Sequence, residues 1–555
     1  MPKSKRPVLV ADFETTVDPN DVRVWAVCAV NVDTLLVDFI GNSIESFFAY
    51  LEDKNTVVYF HNLKFDGEFI LHYLLTHGYK YSDEPTDKTF NTLITDDGIF
   101  YSITVIFKKQ GKSYKKVTIY DSLKKLPFKV AKIAEAFKLP DKKLSIDYKA
   151  PREKGHELTD EERQYIINDC KIVAEALKIQ FSQGLKRMTN ASDALNGYKT
   201  IISSNQFDRL FPVLPVELDA DIRRAYKGGF VYLNPKYRNK RGLKGITLDV
   251  NSLYPSVMYD RLLPFGYPMY FEGKPEENSA YPLYIVRIQC MFEIKPGHLP
   301  TIQLKNNRAF VETEYLTSSN GDMVQMTLTN VDLQLFLDHY NVYNLDYISG
   351  FRFKGAVGMF SEYIDYWMRI KETSTGAIRQ LAKLMLNSLY GKFATNPKSR
   401  KKIPTIDSDS IVRYVLDEPE LREPVYTAMG CFITAYAREK TIRSGQAVYD
   451  RFIYADTDSL HLIGDELPEG LEIHPTHLGA WKHEGSFTDS KFLRAKTYME
   501  TINGETKVTC AGMPDNVKEH VTYDNFRPGA VFEGKLMPKR YPGGIILEER
   551  TFTIK

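Results

Sequence analysis

The sequence predicts a multidomain protein of mixed α/β and α+β class. Three observations carry that prediction. The chain has 555 residues, too many for one hydrophobic core, so about two to four domains are expected. Near the N-terminus, two short apolar runs read as buried strands, Pro7 to Ala11 and Thr56 to Phe60. Around residue 455, two stretches of strand composition flank a tight Asp-Thr-Asp centre, the pattern of an antiparallel hairpin. Composition agrees with a soluble globular protein, with 43% hydrophobic and 26% charged residues. No apolar run approaches the length of a membrane span, so no membrane association is expected. The basic opening, Met1 to Arg6, is followed by an Asp-Phe-Glu strand rather than the apolar core of a signal peptide, which predicts a cytoplasmic location. The five cysteines, Cys28, Cys170, Cys290, Cys431 and Cys510, are far apart and form no CxxC pair. That argues against a zinc site or disulfide framework and fits a reducing compartment.

The formal net charge is only +2. Its distribution says more. Lysine clusters recur at Lys108-Lys109, Lys115-Lys116, Lys124-Lys125, Lys142-Lys143 and Arg400-Lys401-Lys402. The chain has 35 tyrosines and 32 phenylalanines, many of them beside basic residues. This mixture suits phosphate contacts combined with base stacking. Solvated surfaces and ordinary core aromatics account for most of the same residues.

The elements follow in order. The first strand runs into Asp12-Phe13-Glu14, whose two carboxylates share a strand face. The second leads into His61-Asn62-Leu63-Lys64-Phe65-Asp66, placing Asn62 and Asp66 just past a strand end, where α/β sheets build sites. His61, Phe65 and Phe69 are candidates to grip unpaired bases, although core packing suits the two phenylalanines nearly as well. Thr159 and Glu162 fit a capping box, and Tyr165, Asp169, Ile172, Val173 and Ala176 then share one helix face. An Asp on such a face costs energy unless it meets a partner. Three acidic elements, each at the edge of an apolar one, suggest one shared metal site.

A polar stretch, Lys186 to Gly197, predicts a domain boundary near residue 190. In Tyr226-Lys227-Gly228-Gly229, two glycines permit close backbone approach, but taken alone a plain turn is the better reading. Gly245 to Asp249 reads as a strand, and Ser252-Leu253-Tyr254-Pro255 as the turn that follows. Thr375 to Tyr390 has helical composition, with Gly391 as its expected stop. Arg379, Lys383 and Asn387 recur every four residues as one largely cationic stripe, opposite Leu381, Leu384, Met385 and Leu389. In the hairpin, Asp456 and Asp458 are two residues apart and are expected to point at one spot. Like charges that close repel unless a cation sits between them. A divalent metal is one reading, and a solvated Asp-rich turn the other.

The three N-terminal elements resemble the ExoI, ExoII and ExoIII motifs of the DnaQ-like proofreading 3′–5′ exonucleases: Asp-x-Glu, Asn-x(2–3)-Phe/Tyr-Asp and Tyr-x3-Asp. This resemblance implies that Asp12, Glu14, Asp66 and Asp169 hold two metal ions, that Tyr165 orients the attacking water, and that Asn62 helps hold a 3′ end. Two metals roughly 3.5–4 Å apart suit phosphodiester hydrolysis. Residues 249–255 resemble motif A of family B DNA polymerases, Asp-x2-Ser-Leu-Tyr-Pro; 383–391 resemble motif B, Lys-x3-Asn-Ser-x-Tyr-Gly; and 454–458 resemble motif C, Tyr-x-Asp-Thr-Asp. Tyr-x-Gly-Gly at 226–229, Thr434-Ala435-Tyr436-Ala437-Arg438 and Lys496-Thr497-Tyr498 resemble motifs of the protein-primed branch. From about residue 8 to the C-terminus, the chain is similar to the protein-primed family B DNA polymerases of small Bacillus phages with linear genomes.

The resemblance implies an RNase-H-like 3′–5′ exonuclease domain (1–189) followed by a right-hand polymerase. Its palm is split (190–260 and 425–505). Between the halves lie a first insertion contacting terminal protein and DNA (261–358), the fingers (359–394), and a second insertion for processivity and strand displacement (395–424). The thumb is 506–555. It implies that Asp249 and Asp458 bridge two Mg2+ ions, with Mn2+ able to substitute, and that Asp456 supports the site. Lys371, Arg379 and Lys383 would meet the triphosphate. Tyr254 would lie under the sugar and exclude a 2′ hydroxyl. Asn387 and Tyr390 would flank the nascent base pair. Tyr226, Gly228, Gly229, Thr434, Arg438, Lys496 and Tyr498 would contact DNA. The implied partners are primer-template DNA, deoxynucleoside triphosphates, a single-stranded 3′ end and a terminal protein serving as primer, with the enzyme a monomer in the cytoplasm of an infected bacterium. There are departures. Arg379 stands where the family pattern has lysine, and Ser145 where an acidic residue is familiar, so 145 is given no metal role. The region after Tyr498 is shorter than the family pattern. A primer-independent polymerase of a mobile element and a catalytically inactive DNA-binding scaffold are the alternatives; the latter predicts lost carboxylates.

Overall fold

Alternation along the first strand explains how the N-terminal unit is built. In the computed structural model, which describes residues 6–111, 113–303 and 313–555, strand Val8–Thr15 sends Leu9, Ala11 and Phe13 to one face. There they pack with Phe47, Phe60 and Phe69 from the covering helices Ile44–Leu51 and Leu63–Thr76 and the next strand. Val10 packs on the other face, against helix Asp160–Ser182. Asp12 and Glu14 have the parity of Val10, so their carboxylates are directed at that helix. The capping box holds: Thr159 and Glu162 each satisfy the other's backbone N–H. The sheet has eight strands. Val8–Thr15 pairs in parallel with Thr56–Phe60, which pairs in parallel with Ser113–Asp121.

A second, seven-stranded sheet is antiparallel, in the order Glu505–Cys510, Thr497–Ile502, Trp481–Arg494, Gly245–Val250, Ser459–Ile463, Phe452–Asp456 and Val231–Leu233. Its central strand therefore carries Asp249. Helix Thr427–Ala447 packs on it. A four-stranded sheet (Leu263–Glu272, Tyr340–Ala356, Leu283–Ile294, Val324–Thr329) is separate. Helices Ser361–Thr373 and Gly376–Phe393 pack together beyond it. Two further hairpins pair Lys402–Ile406 with Val412–Leu416, and Val531–Tyr541 with Gly544–Thr553.

The polar stretch after Lys186 folds into a helix. Thr189 caps helix Asn190–Ile202, whose Ala194 and Tyr198 are buried. Gly391 does not end its helix, which runs on to Phe393. That phenylalanine is buried against Phe207, Phe211 and Phe360, and its burial outweighs the weak local cost of a mid-helix glycine. Among the described residues, no helix is long and apolar enough to cross a membrane.

Candidate active sites

The N-terminal acidic residues meet in one cavity of about 380 Å3, lined by Asp12, Glu14, Asn62, Asp66, Tyr165 and Asp169. Asn62 begins its helix with a left-handed backbone, φ 70°. The Asp121 carboxylate pins that turn by accepting from the N–H groups of Asn62 (3.1 Å) and Leu63 (3.3 Å). Burial and the neighbouring Asp169 push the Asp12 carboxyl up to about 7. Burial raises Glu14 and Asp66 well above the usual range, and raises Asp169 against the opposing pull of Lys143. One oxygen each of Asp66 and Asp169 is buried without a hydrogen-bond partner. Clustered carboxyls with orphaned oxygens fit a hard divalent cation. Here a cation of the chain's own sits beside them: the Lys143 ammonium pairs with Asp169 and donates to the Tyr165 hydroxyl at 3.2 Å. The Tyr148 hydroxyl shares a hydrogen bond with that of Tyr165. The sequence places Lys143 only in a basic cluster suited to phosphate contacts and gives Tyr148 no role. They lie on a segment without periodicity, and the Lys142-Lys143 pair was the one signal available.

The stacking candidates divide. Phe65 is half-buried and lines the cavity. His61 lines it too, with both ring nitrogens engaged, by the Ser122 hydroxyl (3.0 Å) and the Phe128 carbonyl (2.7 Å). Phe69 is 1% exposed and belongs to the apolar core, so it is not free to grip a base.

The second cluster sits where strand Gly245–Val250 meets the 452–463 hairpin. Asp249 lies opposite Ser459, and the Val250 N–H donates to the Asp458 carbonyl at 2.7 Å. Burial, then the Asp458 and Glu484 carboxylates, push Asp249 up to about 7. Burial also raises Asp458. The tip residue Thr457 has φ 60° and donates its N–H to Phe230. A Cβ on Gly229 would come within 2.6 Å of its hydroxyl, which explains the second glycine of Tyr-x-Gly-Gly. The parity argument for Asp456 and Asp458 needs correction. Strand pairing ends at Asp456 and the turn intervenes, so Asp456 takes Lys496 Nζ at 2.7 and 2.9 Å while Asp458 lies with Asp249.

Above these carboxyls, the Tyr254 ring stacks on Tyr390 with centroids 4.0 Å apart. Lys371 donates to the Ser252 hydroxyl at 3.1 Å, and Arg379 donates to the Lys371 carbonyl at 2.9 Å. Burial and the nearby Lys383 and Arg379 lower the Lys371 pKa. Lys371, Arg379 and Lys383 are thus three mutually close cations, tied through Ser252 to the turn that follows Asp249. Lys383 and Asn387 are exposed on their helix. Tyr226 and Tyr498 are half-buried, Gly228 exposed.

Thr434 and Arg438 do not reach DNA from where they sit. Thr434 is buried, its hydroxyl donating within its own helix at 2.9 Å. Arg438 is 2% exposed; its Nη2 donates to both Asp332 carboxylate oxygens (2.7 and 2.8 Å) and its Nη1 to the Lys227 and Gly228 carbonyls (2.9 and 2.8 Å). Its place is under the Tyr-x-Gly-Gly segment. Among the described residues, no three His, Cys, Asp or Glu side chains are gathered as a finished ligand shell. The donor chemistry, all carboxylate oxygen, fits a hard divalent ion, with Lys143 and Lys496 occupying part of it. A second cavity, of about 740 Å3, carries Lys124, Lys392, Arg400, Lys401 and Arg422.

The family described as DNA polymerase type B, organellar and viral, matches residues 49–154 and 147–472. The DNA polymerase of Bacillus phage B103 is 48% identical over 570 residues, spanning 99% of this chain and 100% of that one. Among solved structures, Phi29 DNA polymerase complexed with primer-template DNA superposes with TM-score 0.96 at 46% identity. The same polymerase with single-stranded DNA gives 0.95 at 46%, and with primer-template DNA and incoming nucleotides 0.95 at 47%. Each comparison covers 99% of this chain and 100% of the other.

Proposed function

This chain belongs to the type B DNA polymerases of viruses, and we propose that it is the protein-primed replicative polymerase of a linear phage genome, with proofreading, high processivity and strand displacement. The single observation that carries the reading is the pairing of Asp249 with Asp458, with Tyr254 stacked on Tyr390 near Asp458 and Lys371 bonded to Ser252 on the turn that follows Asp249. The primer 3′ oxygen attacks the α-phosphorus of a deoxynucleoside triphosphate, and pyrophosphate leaves. Enzymes of this family use divalent metal ions; Asp249 and Asp458 would hold two Mg2+, or Mn2+, which neutralise the charge that develops in such a displacement. Lys371, Arg379 and Lys383 meet the triphosphate and stabilise charge moving to the leaving group. Tyr254, fixed by its stack on Tyr390, packs under the sugar where a 2′ hydroxyl would clash. Asn387 and Tyr390 border the base pair. Asp456, tied to Lys496, supports the turn that holds Asp458. Tyr226, Gly228, Gly229 and Tyr498 border the strands.

In the N-terminal site, Asp12, Glu14, Asp66 and Asp169 would hold two ions of the same kind. Tyr165, fixed by Lys143 and Tyr148, orients the water that attacks the last phosphodiester, and Asn62 holds the 3′ end. The basic cavity beside the 402–416 hairpin suits a template strand whose complement must be peeled off before entry. The enzyme works as a monomer in the cytoplasm of an infected bacterium. None of the seven assigned carboxylates is missing, which disfavours an inactive scaffold. Incubation with labelled dATP, template DNA and a candidate terminal protein tests the priming mode. Label on the protein supports the proposal; label only on free oligonucleotide favours a primer-independent polymerase of a mobile element.

A further inference from the structure

Tyr148 belongs to no helix or strand, yet its hydroxyl meets that of Tyr165. It is 48% exposed, so packing alone does not fix it. Arg152 does. Its Nη2 donates to the Asp147 carbonyl at 3.0 Å and its Nη1 to the Ala150 carbonyl at 3.1 Å. One planar guanidinium thus bridges the two ends of the turn that carries Tyr148, which a lysine ammonium cannot reproduce. Arg152 is itself held. Its side chain is 5% exposed, its Nε donates to Glu162 Oε1 at 2.8 Å, and its guanidinium carbon lies 3.9 Å from the ring centroid of the buried Trp25. The other Glu162 oxygen accepts from His156 Nε2 at 2.7 Å and from the Thr159 N–H at 3.1 Å. Against the cost of burial, the bonds from His156, Thr159 and Arg152 hold the Glu162 carboxyl down to about 2, so it is charged at neutral pH. Glu162 stands in the first turn of the helix that bears Tyr165 and Asp169. The contacts therefore leave that helix at its start and return, through Arg152 and Tyr148, to the Tyr165 hydroxyl. Lys143 is anchored separately, since the Asn168 amide donates to the Lys142 carbonyl.

We propose that Arg152, aimed by Glu162 and Trp25, is a positioning residue of the N-terminal site: it sets where the Tyr148 hydroxyl stands and, through it, the Tyr165 hydroxyl that orients the attacking water. Arg152 reaches no reacting atom. It acts only through the turn at 147–150, whose backbone has no strand or helix to hold it. Charge-assisted bonds with a two-pronged geometry suit that task, because they fix direction as well as distance. Without the fork, the turn is free to move and the two hydroxyls lose their register, while the carboxyls of Asp12, Glu14, Asp66 and Asp169 stay on their own strand and helices. This rests on the nuclease reading of the site, which degradation of single-stranded DNA by the unaltered protein checks separately.

The test uses Arg152→Ala, Arg152→Lys, Glu162→Gln, Tyr148→Phe and the combination of Arg152→Ala with Tyr148→Phe in the full chain. Degradation of a single-stranded oligonucleotide, single-nucleotide addition and melting temperature are measured for each. Arg152→Ala should lower kcat for degradation by about tenfold, the lower end of the range for groups that orient the inner residues of a metal site. KM and single-nucleotide addition should stay at the parent values. Glu162→Gln keeps the capping box but removes the charge that aims Arg152, so it should show part of the same loss. Arg152→Lys keeps a cation for Glu162 but cannot bridge both carbonyls; it should restore the melting temperature and leave most of the kcat loss. In the Tyr148→Phe background, Arg152→Ala should cost less than about twofold more, since both changes act on one hydroxyl. An unchanged kcat in Arg152→Ala overturns the proposal, as do fully multiplicative losses in the combined variant. A lysine variant whose kcat returns together with its melting temperature, or a parallel fall of addition and degradation, makes Arg152 a plain folding element and overturns it as well.

Discussion

Arg438 offers a sharp test, because a strand-holding arginine and a buried tie respond oppositely to removal. Arg438→Ala deletes the Nη2 and Nε contacts to the Asp332 carboxylate and two Nη1 bonds to the Lys227 and Gly228 carbonyls. It leaves Asp332, only 7% exposed, without its main countercharge. Breaking a buried pair from one side costs about 3–5 kcal/mol. Lys227 lies beside Asp332 and takes up part of the charge, so the lower figure, about 3 kcal/mol, is expected. At about 2–4 °C per kcal/mol for a domain of 150–250 residues, the melting temperature should fall by about 6–12 °C. Arg438→Lys keeps the charge but not the fork and should fall between the two. Thermal melts at several salt concentrations, with DNA affinity measured well below the transition, make the assay. A variant that melts with the parent, yet binds DNA more weakly with a salt slope reduced by about one phosphate, would refute the reasoning and restore the DNA-contact role.

Three further outcomes follow. Burial holds the Lys227 ammonium at about 8, below its unfolded value of about 10.4. The unfolded chain therefore binds more protons between those values, and stability should rise with pH across about 8 to 10.4; urea midpoints should show the rise, and Lys227→Met should flatten it. Tyr254→Val should raise ribonucleotide over deoxynucleotide insertion in single-nucleotide kinetics, whereas unchanged discrimination would reduce Tyr254 to a structural partner of Tyr390. Replacing residues 398–420 by a short Gly/Ser linker should spare single-nucleotide addition but halt synthesis at a downstream duplex, and copying through that duplex as far as the parent would remove the strand-displacement role.

What the sequence made legible was local. Strand parity placed Asp12 and Glu14 on one face, a capping box dated the start of the helix bearing Tyr165 and Asp169, and composition outlined the 452–463 hairpin. The failures share a cause in tertiary structure. Asp456 and Asp458 part company because the backbone at Thr457 turns left-handed. Gly391 is carried through by the burial of Phe393. Phe69 and Arg438 sit in motifs of suitable chemistry, but their neighbours, Gly544 and Asp332, lie far off in the chain and bury them. Lys143 and Tyr148 belong to an irregular segment, where neither period 2 nor period 3.6 marks a functional side chain.

The central claim is that nucleotide addition belongs to Asp249 and Asp458, and degradation to Asp12 and Asp66, in separate sites. Measuring both activities in two variants tests it most directly: Asp458→Ala, and Asp12→Ala combined with Asp66→Ala. The account predicts that Asp458→Ala loses single-nucleotide addition by about 10²–10³-fold, the scale expected when charge stabilisation of a displacement is removed, while it degrades single-stranded DNA at the parent rate. The double variant should do the reverse. Primer extension by Asp458→Ala at the parent rate would contradict the account.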